Sequence, residues 1–255
     1  MVVGAQSYTV RAFMQTERDI RRSLQMIARV GYSTVQISGV GPIAPERLRA
    51  LCDEAGLRVV LTHISEQRIL EDTDAVIREH SVLGCRYIGL GSMPERYRTN
   101  AVEWLGYFAE DFLPAARKIR DAGMRFMYHN HSFEFTRLPD GRTLLDMLLD
   151  AFAPDLMGIT LDTYWVHAAG YDVCQTIERL SGRLPCVHLK DMVMEGTSCR
   201  MAPVGEGNLD FEGILRTLAR LGDTQYLLVE QDTCDESPFV CLRKSYDNLA
   251  RMGYA

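Results

Sequence analysis

The sequence predicts an α/β protein that folds as a single-domain (β/α)8 TIM barrel spanning residues 1–255. Short apolar runs alternate with longer amphipathic runs along the whole chain, and this alternation repeats eight times. Eight strand–helix units in 255 residues agree with the usual length of such a barrel, about 250 residues. A doubly wound open sheet usually has fewer strands and a glycine-rich first turn, whereas the first turn here, SYTVRAFMQ, contains no GxGxxG motif.

The predicted strands are short runs rich in apolar and β-branched residues. In chain order they are Val2–Tyr8, Thr34–Ser38, Arg58–Ile64, Tyr87–Gly91, Arg125–His131, Leu156–Asp162, Leu184–Lys190 and Tyr226–Gln231. Because a helix separates each strand from the next, we expect the strands to pair in parallel through helical crossovers.

The predicted helices follow the strands one by one. In chain order they are Glu17–Val30, Pro45–Ala55, Asp72–Leu83, Ala101–Ala122, Thr143–Phe152, Val173–Leu180, Phe211–Leu221 and Phe239–Met252. Pro45 suits a first helical turn, and glycines such as Gly31 and Gly222 follow directly after helices as terminators. The longest irregular stretch, Met192–Asp210, follows the seventh strand, and a loop of that length is typical of a functional segment.

Composition and charge limit the classes of partner. Hydrophobic residues make up 47% of the chain and charged residues 24%, as in an ordinary soluble globular protein. The formal net charge of −6 opposes nucleic acid as a partner, because proteins that bind phosphate backbones are usually basic. The sequence has neither an apolar run of about 20 residues nor a signal-peptide layout, so we expect no membrane partner. Seven scattered cysteines without a CxxC pair indicate reduced thiols in a cytoplasmic protein.

Chemically active side chains concentrate at the ends of the predicted strands, where parallel barrels have their active sites. Four of the six histidines lie there. The strand-end set comprises His63, His129, His131 with Glu134 just beyond, Asp162, His188, Lys190 and Glu230. Because side chains alternate along a strand, an inward His188 places Cys186 and Lys190 inward as well.

Three candidate ligands come from consecutive strands, namely the imidazole of His188 and the carboxylates of Asp162 and Glu230. With His129 or Glu134 they form a mixed nitrogen and oxygen ligand set. Such a set suits one divalent ion, Mn, Co, Zn or Mg. Taken singly, a strand-end aspartate often caps the next helix, and a lone histidine is more often a hydrogen-bonded structural residue. Their occurrence at the same end of four consecutive strands favours a metal site.

Six segments resemble the sugar phosphate isomerase/epimerase family. They are Gln6–Arg11, Tyr128–Phe135, Leu161–Trp165, Val187–Asp191, Pro203–Phe211 and Val229–Asp232. This family is part of the xylose-isomerase-like TIM-barrel superfamily, which also includes inosose dehydratases, ketose 3-epimerases and endonuclease-IV-type enzymes. YHNHxFEF followed by VHLKD, with GEG between strands seven and eight, points to one branch of that superfamily.

The resemblance implies one divalent metal at the barrel mouth, held in the epimerases by Glu, Asp, His and Glu from strands five to eight. Asp162, His188 and Glu230 match the last three. His129 stands where the epimerases have the strand-five glutamate, so either His129 is the ligand or Glu134 reaches back from the loop. Trp165 occupies the position of their substrate-binding histidine, three residues after the aspartate.

The implied function is a metal-dependent isomerase or epimerase that acts on a sugar or keto-sugar. It would deprotonate the carbon next to a metal-bound carbonyl, with an enediolate as the intermediate. The catalytic candidates are Glu230, His129, Glu134 and Lys190, and the substrate-binding candidates are Gln6, His63, His131 and Trp165.

Three alternatives remain open. A metal-dependent lyase or dehydratase would eliminate a substituent of a keto-polyol or 3-keto-glycoside from the same intermediate. An endonuclease-IV-type repair enzyme needs about three metals and a basic surface, which the charge of −6 opposes. A barrel that has lost catalysis is opposed by the intact Asp162, His188 and Glu230. We expect a small-molecule sugar as the partner, and self-association because barrels of this group often pair.

Overall fold

The computed structural model describes residues 1–98 and 104–254 and shows a closed barrel of eight parallel strands. The barrel strands are β1 Val2–Gln6, β2 Thr34–Ile37, β3 Arg58–His63, β4 Tyr87–Leu90, β5 Arg125–His129, β6 Met157–Asp162, β7 Cys186–Leu189 and β10 Tyr226–Val229. Each strand pairs with the next, and β10 closes the barrel on β1 from Val2↔Tyr226 to Ala5↔Val229. The predicted (β/α)8 barrel is therefore confirmed.

Ten α-helices are assigned among the described residues. They are α1 Glu17–Val30, α2 Pro45–Ala55, α3 Glu66–Glu71, α4 Thr73–Leu83, α5 Trp104–Asp121, α6 Leu144–Ala151, α7 Thr163–Ala168, α8 Val173–Arg179, α9 Phe211–Leu221 and α10 Pro238–Arg251. The short helices α3 and α7 were not predicted, because six residues are too few to show a helical period. The first residues of the predicted helix Ala101–Ala122, 101–103, lie outside the described residues.

Two layers of apolar side chains hold the barrel together. The larger layer fills the space between the strands and the surrounding helices. A smaller inner cluster consists of Val60, Leu61, Met127, Cys186 and Leu228. Because these side chains plug the barrel beneath the carboxyl ends of the strands, a ligand can approach those ends only from the mouth.

Three predicted strands end two residues too late, and one of them, Tyr226–Gln231, is strand only to Val229. The segment Val2–Tyr8 is strand only to Gln6, whose side-chain oxygen accepts the Tyr8 amide and starts a 3-10 helix over Ser7–Phe13. The segment Arg125–His131 is strand only to His129. The chain turns there because Glu134 accepts the His131 amide at 2.8 Å, and a 3-10 helix follows over Phe133–Phe135.

The prediction that Met192–Asp210 is irregular was wrong for its first half. An antiparallel hairpin forms from β8 Asp191–Glu195 and β9 Ser198–Ala202, with Gly196 in the turn at a φ of 60°. The isolated hairpin lacks the strong apolar alternation by which strands are recognised in a sequence, because most of its residues are exposed or half-buried.

The second half of this loop is bound to the end of β7 by one buried carboxylate. Asp191 Oδ2 accepts the amides of Gly205 and Gly207, each at 2.9 Å. Its Oδ1 accepts the amides of Met192 at 2.8 Å and Leu209 at 3.3 Å. The GEG segment is thereby folded back against the β7–β8 connection. None of the described helices is both long enough and apolar enough to cross a bilayer.

Candidate active site

Four consecutive barrel strands bring His129, Asp162, His188 and Glu230 together at the mouth. All four side chains are buried, and one potential ligand atom from each lies within 4.8 Å of all the others. Ligand atoms that bind one ion at about 2.1 Å lie within about 4 Å of one another, so this group has nearly the size of a metal site. Parallel register explains the convergence, since Asp162 pairs directly with His188 and His188 with Leu228, two residues before Glu230.

His129 presents its Nε2 atom to this group. Its Nδ1 lies 2.8 Å from the carbonyl oxygen of Gly91, to which it donates, and its Nε2 lies 3.2 Å from Asp162 Oδ2. Burial alone would lower the pKa of His129, but the carboxylates of Asp162 and Glu230 outweigh burial and raise it. The backbone carbonyl therefore fixes the ring with one nitrogen turned toward the neighbouring carboxylates.

His188 presents its Nδ1 atom, because its Nε2 lies 2.7 Å from Gln36 Oε1 and donates to it. Nδ1 lies 2.9 Å from Glu230 Oε2. Burial lowers the pKa of His188, which favours the neutral ring. Sequence reasoning missed Gln36. The available signal was strand alternation, since Gln36 is a polar residue between the apolar Val35 and Ile37 of β2.

Asp162 both caps a helix and belongs to the four-residue group, two roles that the sequence offered as alternatives. Its Oδ1 accepts the Trp165 amide at 3.2 Å and caps α7. Its Oδ2 faces His129 and lies 2.9 Å from Lys190 Nζ. Burial would raise the pKa of Asp162, but the Lys190 ammonium and His129 outweigh it and lower the pKa. A capping aspartate is thus also part of the four-residue group.

Lys190 is almost fully buried among carboxylates. Its Nζ lies 2.9 Å from both Asp162 Oδ2 and Glu230 Oε2, and 3.0 Å from Asp232 Oδ2. Burial would lower the pKa of Lys190, but these three carboxylates raise it, so the ammonium stays charged. The same ammonium lies 5.6 Å from the ring centre of Trp165.

The donor atoms themselves fit a divalent cation. His188 Nδ1 and Glu230 Oε2 are buried and form no hydrogen bond of normal geometry with any described residue. With the ring proton on Nε2, Nδ1 and the carboxylate oxygen are two acceptors facing each other at 2.9 Å. The Lys190 ammonium lies 2.9 Å from that oxygen and offsets its charge, whereas Nδ1 has no donor among the described residues and would be satisfied by a bound cation. Two imidazole nitrogens and two carboxylates suit Mn, Co or Zn.

The structure brings His129, and not Glu134, to the other three residues. Glu134 Oε1 accepts the Tyr128 hydroxyl at 2.6 Å, and Oε2 accepts the His131 amide at 2.8 Å. Both oxygens therefore already have hydrogen-bond partners, one in β5 and one in the loop that follows it. Burial raises the pKa of Glu134 to about 6.

The predicted substrate-binding residues separate into two groups. His63 and His131 line a cavity of about 630 Å³ that opens above the site and is also lined by Lys190 and Glu230. That volume is within the usual range for small-molecule sites. Burial lowers the pKa of His63, and it lowers that of His131 to about 3, so both rings are neutral.

The other two residues lie beside or below the cavity. The Trp165 ring lies next to His131, with ring centres 5.3 Å apart, and its buried Nε1 has no hydrogen-bond partner among the described residues. Gln6 is fully buried and is not a lining residue of the cavity. Its side-chain nitrogen donates to Ser38 Oγ, and its side-chain oxygen accepts from the Tyr8 backbone amide. Both polar atoms of Gln6 therefore bond within the protein.

Sequence reasoning also missed residues from distant parts of the chain that line the cavity. Arg11 donates through both terminal nitrogens to the carbonyl oxygen of Asp232, each at 3.1 Å, and joins the first loop to the last. Both residues line the cavity, with Glu66 and Ser92 on its other side. These four residues follow four different strands, β1, β10, β3 and β4, so no single local pattern groups them.

The chain resembles known proteins along most of its length. A family model described as xylose isomerase-like TIM barrel matches residues 24–239. An inosose dehydratase of Geobacillus kaustophilus is 24% identical over 265 residues, covering 89% of this chain and 84% of that protein. A sugar phosphate isomerase/epimerase structure from Parabacteroides distasonis has a TM-score of 0.77 at 24% identity, covering 97% and 92% of the two chains. An L-ribulose 3-epimerase structure has a TM-score of 0.75 at 16% identity, covering 99% and 94%. At these identities the structural matches show a shared fold.

Proposed function

Because the chain belongs to the xylose isomerase-like TIM-barrel family, we propose that it is a divalent-metal-dependent enzyme acting on a sugar or keto-sugar. It removes a proton from the carbon next to a substrate carbonyl. The observation that carries this proposal is the buried group of His129, Asp162, His188 and Glu230 beneath a cavity of about 630 Å³.

The four residues of this group would hold the metal ion. When bound, the ion supplies a Lewis acid that polarises the substrate carbonyl. Glu230 lines the cavity and is the candidate base for the neighbouring C–H. Lys190, charged and also at the cavity, stabilises the negative charge that develops on a substrate oxygen.

The remaining predicted residues take supporting roles in this proposal. His63 and His131 are neutral rings in the cavity wall, where they can donate to or accept from substrate hydroxyls. Trp165 offers a ring face beside His131 and an unpaired Nε1–H. Glu134 acts through His131, whose amide it holds, because both of its oxygens already accept hydrogen bonds and Glu134 is not a lining residue of the cavity.

The leading reaction is isomerisation or epimerisation, in which the proton returns to the sugar and no group leaves. Elimination is the second candidate, and the relatedness to an inosose dehydratase favours it. Trp165 also stands where the epimerases that the sequence resembles have a substrate-binding histidine. Both reactions begin with the same proton abstraction, so the metal site is compatible with either.

A product assay in D₂O separates the two reactions. Keto-sugars and inososes are incubated with the metal-loaded protein, and the products are analysed by mass spectrometry and NMR. Deuterium incorporation with an unchanged carbon and oxygen count supports isomerisation, whereas a product that has lost water supports elimination. Purified protein that binds neither Mn²⁺ nor Zn²⁺ would contradict the metal-dependent proposal.

A small-molecule sugar is the proposed partner, and nucleic acid is not. An endonuclease-IV-type site needs about three metals, whereas one candidate ligand group is found among residues 1–98 and 104–254. Cleavage of DNA that contains abasic sites would overturn this exclusion. Self-association and a cytoplasmic location stay predictions, to be checked by light scattering and cell fractionation.

A further inference from the structure

Gln36 is the last but one residue of β2 and contacts a histidine that is 152 residues away along the chain. Its side chain is fully buried, and its Oε1 lies 2.7 Å from His188 Nε2. It does not line the cavity above the site. Any role of Gln36 in the site must therefore act through His188.

The Gln36 amide is part of a small polar network. Its Nε2 donates to Ser38 Oγ at 3.3 Å, and Gln6 Nε2 donates to the same oxygen at 3.0 Å. Ser38 is itself fixed, because its amide donates to Ser7 Oγ and its carbonyl accepts from that hydroxyl, both at 2.8 Å. With Nε2 turned toward Ser38, Oε1 is the atom that faces His188.

An amide oxygen accepts hydrogen bonds but does not donate them. The ring proton of a neutral His188 must therefore be on Nε2, which leaves a lone pair on Nδ1. Nδ1 is the nitrogen that faces Glu230 Oε2 at 2.9 Å within the four-residue group. If the proton moved to Nδ1, that nitrogen could no longer ligate a cation.

We propose that Gln36 is a positioning residue that selects the tautomer of His188 and so makes Nδ1 available to a divalent cation. The inference rests on the proposed metal-dependent function, because it concerns a ligand of that metal site. Outer hydrogen-bond partners of histidine ligands typically contribute 10- to 100-fold to metal affinity. A residue that only filled space in the core would affect stability without affecting tautomer or affinity.

The test compares Gln36→Met with Gln36→Glu. Methionine keeps the approximate length and removes the acceptor, whereas glutamate keeps an acceptor oxygen for Nε2–H. Gln6→Met is the matched control, since it removes a buried amide from the same network without contacting His188. Long-range ¹H–¹⁵N NMR of the full chain reports the His188 tautomer, assigned with His188→Gln, and Co²⁺ titration with visible absorption reports affinity and ligand geometry.

We expect wild type and Gln6→Met to show one tautomer, with the proton on Nε2. Gln36→Met should lose that single tautomer, bind Co²⁺ about 10- to 100-fold more weakly and change the Co²⁺ spectrum. Gln36→Glu should restore the tautomer and bring affinity back to within about tenfold of wild type. If Gln36→Met does not fold by circular dichroism, Gln36→Ala, which also lacks the acceptor, replaces it.

Wild-type tautomer and Co²⁺ affinity in a folded variant without the acceptor would overturn the role of Gln36. Loss of affinity in Gln6→Met equal to that in Gln36→Met would also overturn it, because the effect would then come from the network as a whole. Failure of the wild-type protein to bind Co²⁺ would instead count against the proposed function. The tautomer measurement needs no metal, so it still distinguishes the two failures.

Discussion

Replacing Asp191 with asparagine should release the segment that contains Gly205 and Gly207 from the end of β7. The two carboxylate oxygens accept four backbone amides between 2.8 and 3.3 Å, and the side chain is fully buried. Asparagine retains one oxygen and places an amino group where the other stood. Two backbone N–H groups then face a donor and lose their acceptor.

The expected cost follows from those two lost bonds. A hydrogen bond to a charged group contributes about 1.5 to 3 kcal/mol, so the free energy of unfolding should fall by about 3 to 6 kcal/mol. Small domains are typically stable by about 5 to 15 kcal/mol, so such a loss is easily measured. Urea unfolding followed by circular dichroism gives both the midpoint and the m-value.

Asp210→Asn provides a matched control with the same change of side chain and charge. Asp210 caps α9 through one bond, from the Gly213 amide at 2.9 Å, and asparagine caps helices about as well as aspartate. We expect Asp210→Asn to change the free energy of unfolding by less than about 0.5 kcal/mol. An Asp191→Asn protein within about 1 kcal/mol of wild type, with an unchanged m-value, would refute the reasoning.

Four further outcomes are expected. Glu230→Gln should abolish turnover and keep the circular dichroism spectrum, and near-normal activity would contradict its proposed role at the site. Treatment with a chelator should lower the melting temperature and remove activity, both restored by Mn²⁺ or Zn²⁺, because a ligand that binds only the native state stabilises it. Tyr32→Phe should cost about 0.5 to 1.5 kcal/mol in urea unfolding, since the buried hydroxyl donates to the Leu242 carbonyl oxygen at 2.8 Å; an unchanged midpoint would contradict this. Gly207→Ala should destabilise the protein in thermal unfolding, because a Cβ there would lie 2.3 Å from Asp191 Oδ1; a melting temperature equal to wild type would show that the loop adapts.

The order of strands and helices was predictable because it depends on local periodicity. Predicted helices such as Glu17–Val30 and Phe211–Leu221 agree with the structure to the residue, since capping residues and terminal glycines mark both ends. Strand ends were less accurate. Side-chain bonds from Gln6 and Glu134 stop β1 and β5, and such bonds leave no periodic signal.

The sequence by itself determined the barrel and the convergence of Asp162, His188 and Glu230, because parallel strands place their carboxyl ends at one mouth. It left the fourth member of the group open between His129 and Glu134. Tertiary structure decided this point, since Tyr128 and the His131 amide occupy both Glu134 oxygens.

Only the closed barrel could reveal the partners of these residues. Gln36 in β2 and His188 in β7 are 152 positions apart along the chain. On one side of the barrel, β1 and β10 separate these two strands. The contact between the two residues runs across the barrel interior, where no pairing register or sequence spacing predicts it. Local patterns specify which strands form and which way side chains face, whereas the hydrogen bonds that orient a ligand depend on distances set by closure.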